Sequence, residues 1–97
     1  MSGASRCITG QLVGTGSLMT VSKIGFKPRY VRIVNLDDPG SLEFFEGMAS
    51  GRGFKHIDGT QTSISTGGIT PTNTGFTLGT DADMNVSGEQ LSYVVWD

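Results

Sequence analysis

The 97-residue chain holds one cysteine and one histidine. Cys7 alone excludes an internal disulfide and a cysteine-built zinc site. His56 alone leaves little for metal chemistry or proton shuttling. Helix formers are equally scarce, with Ala, Glu and Lys contributing three residues each. The longest stretch free of both glycine and proline runs from Arg29 to Asp38, ten residues, so an average helix of about eleven barely fits anywhere. No run approaches the roughly twenty apolar residues of a membrane helix, and none supports a coiled coil. Positive charge is thin as well. Seven Lys and Arg are scattered among nine Asp and Glu for a net charge of −2, which removes the usual electrostatic reason for binding nucleic acid. Helical bundle, helical membrane span and long-helix DNA reader are all excluded, and neither nucleic acid nor membrane is an expected partner.

What is abundant points one way. Fifteen Gly, eleven Thr and ten Ser punctuate the chain, while Ile, Leu, Val and Phe supply 24 residues, enough for one small core. Short β-prone runs alternate with turn residues. Residues 6–13 form a first strand with Ile8 and Leu12 on one face, and residues 18–24 a second. The strongest strand is Arg29 to Leu36, with Val31 and Ile33 facing one way and Tyr30, Arg32 and Val34 the other. Asp37-Asp38-Pro39-Gly40 is a dense turn signal, and residues 41–46 return from it. Residues 47–53, with three glycines, read as a loop, followed by a short strand over 54–57. Residues 59–66 read as a strand that Gly67-Gly68 turns. Residues 69–78 carry Pro71, which limits them to an edge strand or two short pieces. Residues 91–96 close the fold. The expectation is one all-β domain over 1–97, a small antiparallel sandwich of seven or eight short strands, with 1–5 a flexible arm. The polar N-terminus has no apolar h-region, so folding in a cytoplasm is expected.

Candidate chemistry is sparse. A Cys7–His56 dyad has the right residue types, but nothing in the spacing brings the two together. Asp37 and Asp38 are explained by their turn. Asp81-Ala82-Asp83 with Asn85 is oxygen-rich like a calcium loop, yet it lacks the glycine and terminal glutamate of an EF-hand. No enzyme and no cofactor are expected. The aromatics say more. Phe44 and Phe45 are consecutive in a strand, so one enters the core and the other needs separate cover. Tyr30, Phe54 and Trp96 add further large rings to place.

The run Gly25-Phe-Lys-Pro-Arg-Tyr-Val-Arg-Ile-Val-Asn35, with Glu43 to Ala49, Gly67-Gly68-Ile69, Gly75 to Gly79 and Asn85 to Tyr93, resembles small virion proteins of tailed bacteriophages. These are capsid decoration (cement) proteins or small tail-associated proteins, and the likeness spans residues 20–97. Its Gly-Phe-x-Pro-x-Tyr-Val-x-Ile core also resembles the H-type lectin sandwich, a trimer that binds sugar at its subunit edges. The resemblance implies a jelly-roll-like or lectin-like sandwich and a homo-oligomer, a trimer. Such a protein is made in the host cytoplasm and carried on the virion, binding the major capsid protein. The expected contact residues are Ser2 and Arg6 of the N-terminal arm, Met48, Arg52 and Phe54 around the glycine-rich loop, and Phe45 and Trp96. The alternative is a carbohydrate-binding module of a tail fibre or baseplate, with Trp96, Tyr30 and Phe54 as stacking platforms.

Overall fold

A computed structural model describes residues 6–97. It contains eight strands and, among the described residues, no helix. The strands are β1 (Cys7–Val13), β2 (Met19–Val21), β3 (Tyr30–Asn35), β4 (Gly40–Phe45), β5 (Arg52–Ile57), β6 (Thr60–Thr72), β7 (Gly75–Leu78) and β8 (Gln90–Trp96). All pairings are antiparallel, and the spatial order is β1-β8-β3-β4-β5-β6-β7-β2. The fold is the small all-β antiparallel domain that the alternation predicts. Its two layers come from one sheet curled on itself.

The curl is made at β6. Gly53 pairs with Ile64, whereas its neighbour Arg52 pairs with Ile69, so residues 65–68 have no ladder partner on β5. Gly67 takes φ +75° there, a conformation that disfavours a side chain. A Cβ on Gly68 would collide with the Arg52 carbonyl oxygen. The pair thus marks a bulge within a thirteen-residue strand, not the turn expected between two strands. Pro71 is tolerated because this end of β6 pairs with β7 alone, beyond the last β5 partner at Ile69. The chain does reverse next, into the two pieces foreseen for residues 69–78. The loop read over 47–53 ends sooner than expected, since β5 begins at Arg52.

Alternation settles the faces. Val31, Ile33, Leu42, Leu91 and Val95 point inward from β3, β4 and β8, and Ile69, Phe76 and Leu78 point back from β6 and β7. All are fully buried. The Phe76 ring meets Tyr93 edge-on at 5.4 Å, although β7 and β8 are not ladder neighbours, so the two limbs of the curl share one core. Burying a large aliphatic or aromatic side chain stabilises by about 1.5–3 kcal/mol.

Candidate aromatic binding face

The outer face of the wide limb follows from the same registers. Trp96, Tyr30 and Phe45 occupy one row across β8, β3 and β4. Phe54 stands one row further along on β5, opposite Glu43. Ring centroids step 5.8 Å from Trp96 to Tyr30, 5.2 Å to Phe45 and 6.0 Å to Phe54, with tilts of 51–58°. These are favourable tilted contacts. Trp96 is 52% exposed and Phe45 42%. Phe44 is buried in the core on the opposite face, as the period of two requires. A shallow groove of about 450 Å³ runs between Tyr30, Glu43, Phe45 and Trp96.

Glu43 fixes the stripe. Tyr30 donates its hydroxyl to Glu43 Oε2 at 2.7 Å, and His56 Nε2 lies 3.3 Å from Glu43 Oε1. Burial, then the hydrogen bond to Glu43 and its negative charge, pushes the Tyr30 phenol up to about 12, with Arg32 pulling the other way. Tyr30 therefore stays a neutral hydrogen-bond donor throughout the physiological range. Trp96 donates its indole N–H to Cys7 Sγ across the β1–β8 pair.

A second feature is a cleft of about 490 Å³ at one end of the fold, lined among others by Arg6, Phe26, Lys27, Arg29, Met48 and Asp97. The Arg6 guanidinium lies 4.5 Å above the Phe26 ring and donates from Nε to Asp97 at 2.9 Å. Arg29 Nε is 3.6 Å from Glu46, with both side chains well exposed, a pair worth little in water. Met48 is tied into the turn after β4, its sulfur accepting from Phe45 N–H at 3.2 Å. It packs half-buried against the core.

The expected contact residues therefore divide. Phe45, Phe54 and Trp96 join in one stripe with Tyr30, and Arg6 and Met48 line the cleft. The glycine-rich loop does not gather Met48, Arg52 and Phe54 into one contact, because Phe54 lies on β5 facing the stripe. Exposed Arg52 lines neither feature. Ser2 lies outside the described residues. Glu43 was missed as a site residue, although its place two residues before Phe45 puts it on the same face.

The other candidate chemistry resolves structurally. Cys7 is on β1 and His56 on β5, four strand spacings apart, or about 19 Å, so they form no dyad. In the calcium-like segment a lysine occupies the carboxylates. Lys55 Nζ donates to Asp81 at 3.0 Å and to Asp83 at 2.8 Å. Hydrogen bonding to Asp83 is the main cause holding this ammonium above its usual pKa, with Asp81 adding to it against an opposing effect of burial. Asn85 turns inward as a structural clamp between loops. Among the described residues no group of three or more His, Cys, Asp or Glu side chains is arranged to hold a metal ion.

Compared with protein-family models, curated proteins and solved structures, the chain matches none.

Proposed function

We propose that this protein is a non-catalytic adhesion subunit, and specifically a decoration protein that binds the major capsid protein on the outer surface of a tailed-phage head. The observation that carries the adhesive role is the four-ring stripe on an open sheet face. Aromatic side chains dominate binding energy at protein interfaces. Here two of the largest stand exposed on rigid strands. The virion assignment rests on the residue runs that resemble phage structural proteins. Many copies on one shell would multiply a modest single-site affinity into firm attachment.

Sugar binding by the same stripe is the alternative reading, favoured by the exposed indole of Trp96 beside Tyr30. Two features weigh against it. The rings are tilted against one another, and Glu43 Oε2 already accepts from the Tyr30 hydroxyl while Oε1 faces His56 Nε2 at 3.3 Å, so the groove offers few acceptors for sugar hydroxyls.

Immunogold labelling of purified particles from cells expressing the gene tests the proposal. Gold over the head surface is the expected result. Label confined to the tail, together with reproducible binding on a glycan array, would establish the lectin alternative. Particles free of the protein would overturn the virion assignment.

A further inference from the structure

The two borders of the sheet differ. β2, at one border, is three residues long, and brevity is one way proteins keep an open edge from pairing. β1, at the other, runs seven residues, Cys-Ile-Thr-Gly-Gln-Leu-Val. It holds no charge and no proline, and its register against β8 is unbroken. Charges, prolines and bulges are the common protections of an edge, and β1 has none of them. Among the described residues, no strand pairs with β1 on the side away from β8.

The chemistry of β1 is symmetric about Gly10. Thr9 and Gln11 flank it, both polar and exposed. Ile8 and Leu12 come next, both apolar, half-buried and packed on the core. Cys7 and Val13 end the strand, both exposed. Such a strand fits an antiparallel copy of itself, turned about a two-fold axis through Gly10. Ile8 then lies opposite the partner's Leu12, and Thr9 opposite the partner's Gln11. Every inward residue meets an inward one, whereas a slip of one residue would set core-facing side chains against solvent-facing ones. Gly10 sits at the axis without a side chain, and the Tyr93 ring of β8 covers it so closely that a Cβ there would collide with the phenol. Aromatic cover of an edge glycine is a known means of pinning a strand.

We propose that β1 is a self-association edge, through which two copies of this chain pair in antiparallel register centred on Gly10 and merge their sheets. A second copy is the occupant because the pattern is symmetric, and pairing with an unrelated strand would need no such symmetry. The contact is isologous. It yields a dimer in place of the trimer expected from the sequence, and it stands independently of the proposed function.

Sedimentation equilibrium of the full chain tests this. Small interfaces associate weakly, so the series should extend to on the order of hundreds of micromolar. The expected result is a concentration-dependent species of twice the 10.2 kDa chain mass. Thr9→Lys with Gln11→Lys places like charges opposite one another across the axis, and Thr9→Glu with Gln11→Glu does the same with the other sign. All four changes fall at exposed positions, and circular dichroism confirms that each variant is folded. Each variant alone should be monomeric, and an equimolar mixture should dimerise again, because lysines then face glutamates. A wild type that remains monomeric or forms trimers would overturn the proposal. So would a lysine variant that still dimerises, or a mixture that fails to reassociate.

Discussion

Under the proposed head-binding role, replacing both exposed rings, Phe45→Ala with Trp96→Ala, is expected to weaken attachment to phage heads several hundredfold while leaving the chain folded. Each ring is an aromatic anchor of the kind whose truncation costs about 2 kcal/mol or more at an interface. Every 1.4 kcal/mol is tenfold in affinity, so about 4 kcal/mol for the pair gives a loss of that size. Folding is spared because Trp96 and Phe45 are 52% and 42% exposed. What is lost inside the molecule is the Trp96 hydrogen bond to Cys7 and the ring contacts with Tyr30 and Phe54, each ring contact worth about 0.5–1.5 kcal/mol. Leu36→Ala is the control. Leu36 is 53% exposed, hydrophobic and absent from the stripe, and its loss should change binding less than about twofold, in line with ordinary surface substitutions. Co-sedimentation with heads, over a range of concentrations, reads both numbers. A double variant that binds like the wild type would remove the stripe from the interface.

The second large effect concerns stability. Asn85→Ala should lower the unfolding free energy by about 3 kcal/mol, a large share of the 5–15 kcal/mol that holds a small domain. Asn85 is 3% exposed and uses its whole amide. Its Oδ1 accepts from the backbone N–H of Thr15 at 2.9 Å and of Gly16 at 3.1 Å. Its Nδ2 donates to the carbonyls of Ser17 at 2.6 Å and Gly79 at 2.8 Å. One side chain thereby ties the β1–β2 loop to the segment after β7. Removing it takes a partner from four backbone groups; the Ser17 carbonyl keeps the Thr15 hydroxyl, whereas the Gly79 carbonyl is buried, and a buried group left unpaired costs about 1–3 kcal/mol unless water reaches it. For a domain of this size that loss corresponds to a melting temperature lower by about 12–24 °C. Asn73→Ala, at an exposed position of the β6–β7 turn, should stay within about 0.5 kcal/mol. Thermal and urea unfolding measure both variants, and equal melting temperatures would show that Asn85 is not a clamp.

How far the sequence discloses this fold depends on the range of the signal. Period-two alternation is local, so the inward Val31 and Ile33 and the outward Tyr30 and Arg32 can be read directly, and the structure agrees. Phe44 and Phe45 are equally legible, one core ring and one left over. The assembly of that leftover ring with Trp96 is not, because Trp96 lies on β8, and its place beside Tyr30 depends on a pairing 66 residues away in the chain. Gly67-Gly68 misleads for a different reason. A glycine pair signals a positive φ or a close approach, and both occur here, but a bulge and a turn demand the same residues. Only the partner strand, with its jump from Ile64 to Ile69, distinguishes them. Lys55 is also silent in the sequence, since the carboxylates it engages are 26 and 28 residues away. That distance is why Asp81 and Asp83 resemble a calcium loop until the fold supplies their cation. Asn85, in the same segment, reads as one more surface oxygen donor and is in fact buried.

Trp96 is the sole tryptophan of the chain, and it stands exposed in the stripe that is proposed to bind. Replacing it biosynthetically with 5-hydroxytryptophan lets its emission be excited apart from that of the capsid, and acrylamide quenching then reports its exposure in the free and the bound chain. Attachment through the aromatic face predicts a blue-shifted emission and a large loss of quenching on the head. A bound chain whose indole is quenched as readily as in free solution would contradict it.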